Sequence, residues 1–345
     1  MVRRFFVLVV AIAAGAAPAG AQVRADERVD VARVLVDARV TGPRGEPVRG
    51  LAAGDFRAQI DGRDARIESA TWIGLPEAAP GGAAAPADFE PHPQVSVAGG
   101  RWTVFLFQHS LEPSRVGGLL RMMRESARFV DRFAPGDRAA VVVFDSRLRL
   151  YQDFTADRRR LADVLGRGLF FGKPDPAISP GISLAATLVS TAAERASTLE
   201  QALTVVARAL SRIEGGKSLV LMGHGFGRFQ AILGSATGMA VLDRDYDEAR
   251  EALLAARVAV FAMDVTDADT HTLETGLMAA AEDTGGFYAK VHERQSAAMD
   301  RLASALEGYY LLSVEKPPAR KGRHDVLVRA TARGATVSAR RYYID

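Results

Sequence analysis

Four places in the sequence carry residue types in spacings that chemistry uses. The first is Asp264-Val265-Thr266-Asp267-Ala268-Asp269, three carboxylates in one short stretch. A calcium loop needs glycine at its sixth position and a bidentate glutamate at its twelfth, where this chain has Asp269 and Thr275. The acids are therefore expected to cap a helix starting at Thr270. The second is Gly223-His224-Gly225-Phe226-Gly227. A nucleophile elbow needs serine at its centre, and phosphate or dinucleotide loops need a following Lys-Ser/Thr or another glycine spacing. These glycines are expected to relieve backbone crowding at a sharp turn. The third is Ser110 beside His109, a nucleophile next to a base, although neighbours on an extended strand point to opposite faces. The fourth comprises the basic runs Arg158-Arg159-Arg160 and Arg340-Arg341, which lack the interleaved aromatics of a single-strand binder and read as solvated faces. No cysteine is present, which excludes disulfides, zinc-thiolate sites and thiol nucleophiles. With no complete triad, carboxylate dyad or Cys/His pair, the chain reads as no enzyme. A hydrolase built on Ser110 is the catalytic alternative.

The elements that must position these groups follow from periodicity. Residues 31–36 and 56–60 alternate, with turn signals at Gly42-Pro43-Arg44-Gly45 and Asp61-Gly62, which is β structure. Residues 77–92 are dominated by Ala, Pro and Gly and read as a linker. From Arg101 apolar runs at 103–107, 139–144, 218–222 and 258–263 alternate with helical periodicity at 116–133, 157–165, 184–213, 246–256, 270–283 and 296–306. That is the pattern of a mostly parallel sheet covered on both faces. After Gly308, strand patterns return at 309–314, 324–330 and 336–343. Each terminal β segment is too small to cover its own apolar face. The economical solution is one β-sandwich made from both, with the α/β unit inserted between them. The expected limits are β-sandwich at 28–75, linker at 76–98, α/β domain at 99–307 and the second part of the sandwich at 308–345.

Composition bounds the partners. The 345 residues are 48% hydrophobic and 25% charged, a globular balance with room for two domains. Lys and Arg number 44 against 41 Asp and Glu, which argues against a dedicated nucleic-acid binder. Residues 1–21 place Arg3 and Arg4 before an apolar run and end in Ala19-Gly20-Ala21, the pattern of a cleavable signal peptide. An uncleaved anchor is the alternative, but the apolar part is shorter than the roughly 20 residues of a spanning helix. No later stretch reads as a span, so the mature protein is expected to be secreted or periplasmic.

Several short motifs share an order. They are Pro47-Val48-Arg49-Gly50-Leu51 with Asp55-Phe56, then Phe133-Ala134-Pro135-Gly136-Asp137-Arg138 leading into Val141-Val142-Val143-Phe144. Phe154-Thr155-Ala156-Asp157, Gly216-Lys217-Ser218-Leu219-Val220-Leu221 and Tyr309-Tyr310-Leu311-Leu312 come after them. In this order, with strand, helix, strand pair, long helix, strand, helix and strand between, the chain resembles von Willebrand factor type A domain proteins, and more closely a bacterial exported VWFA-related group. The resemblance implies a doubly wound, Rossmann-like sheet whose ligand site lies at the carboxyl ends of its strands. It also implies a metal-ion-dependent adhesion site: Asp-x-Ser-x-Ser after the first strand, a Thr before a central helix and an Asp in a Thr-Asp-Gly loop.

The first motif falls on Gln108-His109-Ser110-Leu111-Glu112, so an amide stands for the anchoring acid and Glu112 for the second serine. His224 stands where the loop Asp belongs, and the Thr position falls near Ile182 or Ser183. Mg²⁺ gains little from an amide and an imidazole, so the adhesion site is expected to be degenerate and no cofactor is expected. The resemblance thus implies non-catalytic binding of an envelope or extracellular protein through a rim of Gln108, Ser110, Glu112, His224 and Asp264. One alternative is a metal-dependent module in which His109, Glu112 and His224 hold a borderline ion such as Zn²⁺. Another is a purely structural envelope component.

Overall fold

The computed structural model describes residues 32–74, 95–96, 100–169, 182–188, 190–231, 238–292 and 294–345. The expected signal peptide and most of the expected linker lie outside these residues. Strand β1 (Arg33–Thr41) turns Val34, Val36, Ala38 and Val40 to one face, all buried. Strands β2 (Phe56–Ile60), β3 (Arg63–Ala65) and β4 (Ile67–Gly74) follow. Asp61 and Gly62 join β2 to β3 with φ of 50° and 74°, the left-handed pair a tight hairpin requires. The short β5 (Val95–Ser96) runs parallel to β4.

The middle of the chain is α/β. In order it forms β6 (Trp102–Gln108), α1 (Pro113–Phe129), β7 (Arg138–Phe144), β8 (Leu148–Thr155) and α2 (Arg158–Asp163). Next come α3 (Ala185–Leu188), α4 (Thr191–Arg195), α5 (Leu199–Leu210), β9 (Lys217–Gly223), and the hairpin β10 (Arg228–Ala231) and β11 (Gly238–Val241). The unit ends with α6 (Arg244–Ala255), β12 (Val258–Asp264), α7 (Glu274–Thr284), β13 (Phe287–Lys290) and α8 (Gln295–Glu307). The sheet order is β13-β12-β9-β6-β7-β8, parallel throughout except for β8, which runs antiparallel to β7. Every residue of β9 and β12 is buried, which is why these strands read as continuous apolar runs. Val104, Leu106 and Leu221 pack one face against Leu203, Leu253 and Leu277 of α5, α6 and α7. Phe105, Phe107 and Met222 pack the other face against Met122 of α1 and Leu302 of α8. The sheet is therefore doubly wound.

The chain returns to β structure with β14 (Gly308–Glu315), β15 (Arg323–Ala330), β16 (Thr336–Ala339) and β17 (Tyr342–Ile344). One sheet has the order β16-β1-β14-β4-β5 and the other β17-β15-β2-β3. Val36 pairs with Leu312, and Val328 with Ala58. The inward faces of both sheets, including Val36, Ile60, Tyr310, Leu312 and Val326, form one core. The sandwich made from both chain segments is thus observed, and Ala32–Asp345 form one compact unit. Among the described residues no helix is long and apolar enough to cross a membrane.

Two expectations change. The long helix over 184–213 is three helices, because Ser190 is extended before α4 and Thr198 is extended before α5, its side chain accepting from Gln201 N. Hydroxyl side chains that bond nearby backbone favour such caps over helix interiors. The helix expected from Thr270 begins at Glu274, with no side-chain cap.

Helix α1 sits hard against the segment after β12. A Cβ on Gly118 would stand 1.9 Å from the Val265 carbonyl oxygen, and Asp267 N donates to Ser114 O at 2.8 Å. Gly118→Ala is expected to lower stability by about 1–3 kcal/mol in urea unfolding. Gly54→Ala, with nothing within 4 Å of the new Cβ, is the control expected to change little. Equal midpoints for the two variants would remove the close contact.

Candidate functional site

The parallel strands end together, so β6, β7, β9 and β12 deliver Gln108, Asp145, His224 and Asp264 to one rim. Gln108 is buried, and its side chain is spent on backbone. Oε1 accepts from His224 N at 2.9 Å and Gly225 N at 3.1 Å, and Nε2 donates to Gly225 O at 2.8 Å. A Cβ at Gly223 would lie 2.5 Å from Gln108 Oε1, so the glycine makes room for the amide. Both acceptor positions on the amide oxygen are filled, and none is left for a cation.

The rest of the first motif turns to the start of α1. Ser110 Oγ accepts from Glu112 N at 3.2 Å, Glu112 Oε1 accepts from Ser114 Oγ at 3.1 Å, and Glu112 Oε2 pairs with Arg115 at 2.9 Å. His109 N donates to Phe144 O. Ser183 donates its hydroxyl to Asp153, whose other oxygen accepts from Leu184 N and Phe154 N. Ile182 borders Trp102 and Ile213 at the amino ends of the strands. The position expected for the family's Thr therefore lies at the opposite end of the sheet from the rim. These residues do not fit the hard divalent cation the resemblance implies.

A different group does come together. Among the described residues, ligand atoms of Asp264, His271 and Glu274 lie within 4.8 Å of one another. Among the described residues His109, Glu112 and His224 do not form such a group, and Glu112 bonds Ser114 and Arg115. Asp264 is fully buried, and Oδ1 accepts from Thr266 N at 3.0 Å. Its Oδ2 meets His271 Nε2 at 2.7 Å and the Tyr288 hydroxyl at 2.8 Å. Burial alone would raise the Asp264 pKa, but the bonds from His271, Thr266 and Tyr288 outweigh it and hold the carboxyl below its usual value. Tyr288 is pushed up by burial and by the adjacent Asp264, so it remains a donor. Its oxygen is also 3.2 Å from Glu274 Oε2, which pairs with Lys290 at 2.8 Å. Asp264 is thus a buried acceptor organising the rim and not a helix cap. The donor types suit Zn²⁺ better than Mg²⁺, but the Lys290 ammonium already compensates Glu274. Sequence reasoning missed His271, Glu274 and Tyr288. His271 lies before α7 and Glu274 is its first residue, so no helical spacing signalled the pair.

His224 sits beside this network with Nδ1 buried and unpartnered among the described residues. Burial, then the neighbouring Arg115 and His271, push its pKa down to about 4 from 6.5, opposed by Asp264. The folded state therefore refuses a proton that the unfolded chain takes up below pH 6.5, and stability is lost as pH falls from 6.5 toward 4. We expect His224→Asn to remove a pH-dependent loss on the order of 2 kcal/mol, read as the difference in urea midpoints at pH 7.0 and about 4.5. Equal pH dependence in variant and wild type would contradict the buried neutral imidazole.

No family model matches the chain, and no curated protein matches its sequence. Among solved structures, an aerotolerance-related membrane protein from Bacteroides fragilis NCTC 9343 is 15% identical, covering 60% of this chain and 98% of its own, with TM-score 0.39. The von Willebrand factor type A structure from Catenulispora acidiphila is 11% identical over 92% of this chain and 75% of its own, with TM-score 0.42. Manganese-loaded TRAP protein from Plasmodium vivax is 12% identical over 70% and 93%, with TM-score 0.41. No residue role transfers at such values, and the strand order and directions described above stand independently of them. The family that the sequence motifs resemble, von Willebrand factor type A, is thus also that of one of the solved structures to which the chain is similar.

Proposed function

We propose that the chain is an exported, non-catalytic protein-interaction module that offers its strand-end rim to an envelope or extracellular protein without a bridging cation. The observation that carries this reading is Leu111. It stands 84% exposed at the tip of the first motif, while Gln108 on one side of it turns inward and Glu112 on the other is paired to Arg115. Phe229, on the hairpin that follows the His224 loop, is 65% exposed. Large apolar side chains standing out at a polar rim suit a partner's pocket. Independence from metal is supported by the filled acceptor positions of Gln108 and by a neutral His224 at the loop-acid position. A non-catalytic role is supported by Ser110, whose oxygen is engaged by the Glu112 amide. Export rests on the sequence pattern of residues 1–21.

The Asp264, His271 and Glu274 group favours one second reading, a metal-dependent module with altered ligands. The two readings separate in calorimetric titration with Mg²⁺, Mn²⁺ and Zn²⁺, combined with partner capture from envelope extract in EDTA. The expected result is no saturable heat with Mg²⁺ or Mn²⁺, capture that persists in EDTA, and capture reduced at least about tenfold by Leu111→Asp with the melting temperature unchanged. Capture abolished by EDTA and restored by Zn²⁺, but not in His271→Ala, would replace the first reading with the second. Undiminished capture by Leu111→Asp would move the interface away from the rim.

A further inference from the structure

Arg39 is a buried charge that has been given no counter-charge. It lies on β1 with 7% exposure, and Asp37, two residues earlier on the strand, pairs with Arg257 instead. Arg39 Nε donates to Ala305 O at 3.2 Å and Nη1 to Gly285 O at 3.4 Å, both long bonds to neutral carbonyls. The rings of Phe261 and Tyr309 lie 5.2 Å and 5.4 Å from its guanidinium carbon. Among the described residues no carboxylate lies within 4.0 Å of it and Nη2 has no acceptor. Buried charges are ordinarily paired. Burial lowers the Arg39 pKa, with only partial relief from Asp37 and Tyr309.

Beside Arg39, between the sandwich and α8, is a cavity of about 370 Å³. Arg44 and Arg301 line it with Arg39, and Phe261, Phe287 and Ser304 contribute to its walls. Arg301 stacks over the Phe287 ring at 4.0 Å and makes no ion pair or hydrogen bond among the described residues. The lining acid, Asp300, is paired with Arg132 at 2.7 Å. On the other side of Arg39 a larger cavity, about 760 Å³, is also bordered by arginines. There Arg101 and Arg257 are neutralised by Asp137 and Asp37, and Arg212 shares the lining with Glu214. In the smaller cavity the guanidinium groups of Arg39 and Arg301, neither in an ion pair among the described residues, coincide with the ring faces of Phe261 and Phe287, and its volume lies in the range of small-molecule sites.

We propose that this cavity binds a small organic oxyanion, its carboxylate or phosphate group between Arg39 and Arg301 and its apolar part against Phe261 and Phe287. Guanidinium forks match both oxyanions, and the ring faces would contact an aromatic or aliphatic body. The site lies near the amino end of β13, away from the strand-end rim, and does not depend on what the rim binds.

Calorimetric titration of the full chain in chloride buffer with benzoate, phenyl phosphate, inorganic phosphate and benzyl alcohol tests it. The expected result is saturable binding of benzoate or phenyl phosphate at one site per chain, the preference between them identifying the oxyanion, and none of benzyl alcohol. Arg301→Gln and Arg44→Gln, both at exposed positions, are each expected to weaken binding by roughly tenfold or more. They should leave the melting temperature without ligand unchanged. No saturable heat from either aromatic anion at millimolar concentration, or equal affinity in both variants, would overturn the proposal. Inorganic phosphate binding as tightly as phenyl phosphate would overturn its aromatic half.

Discussion

The antiparallel register of Arg33 opposite Glu315, through Ala38 opposite Tyr310, is the constraint on which the rest of the structure depends. Neither β segment has enough strands to cover its apolar face alone. Laid together they bury Val36, Ile60, Leu312 and Val314 completely. The register also fixes how the sandwich meets the α/β unit. It sets Asp37 against Arg257 and Arg39 against the backbone of α8 and of the turn before β13. Because β14 continues from α8 without a break, the last helix cannot shift without pulling on the sandwich core.

At the other end of the sheet, the rim is held by hydrogen bonds from Gln108 to the backbone of the loop after β9. A carboxylate at position 108 would face the amides of His224 and Gly225 but would lack the donor that Gln108 directs to the Gly225 carbonyl. The amide satisfies both and locks the loop. His224 lies beside Gln108 with its basicity lowered chiefly by burial, which keeps positive charge out of a region that already holds Arg115. Asp264 is the remaining buried acid, and three donors from three separate places in the chain converge on it. The rim is organised by these internal hydrogen bonds.

Much of this was legible in the sequence. Continuous apolar runs identified the four central parallel strands, and alternation identified the strands of the sandwich. The idea that its two halves pair came from counting uncovered faces. Gln108 and Asp264 were placed at strand ends by the boundary between apolar and polar residues. The partners of Asp264 were not legible, because His271 comes from the approach to α7 and Tyr288 from an edge strand, and sequence separation carries no sign of that convergence. Ser183 was misplaced for a related reason: a motif carried over by order alone does not say at which end of the sheet a connection starts. The broken helix over 184–213 hid behind uniform apolar periodicity, and only Ser190 and Thr198 marked its breaks.

The topology of β1 has a consequence for how the protein is made. Both hydrogen-bonding neighbours of β1, β14 and β16, lie after the α/β unit in the chain. Until that later segment is in place, β1 lacks both of its neighbouring strands and β2 has only β3. Long-range pairings of this kind are slow to form, and waiting edges invite wrong partners. The α/β unit is thus the natural first folding body, and closure of the sandwich is the late event that ties the two distant segments together.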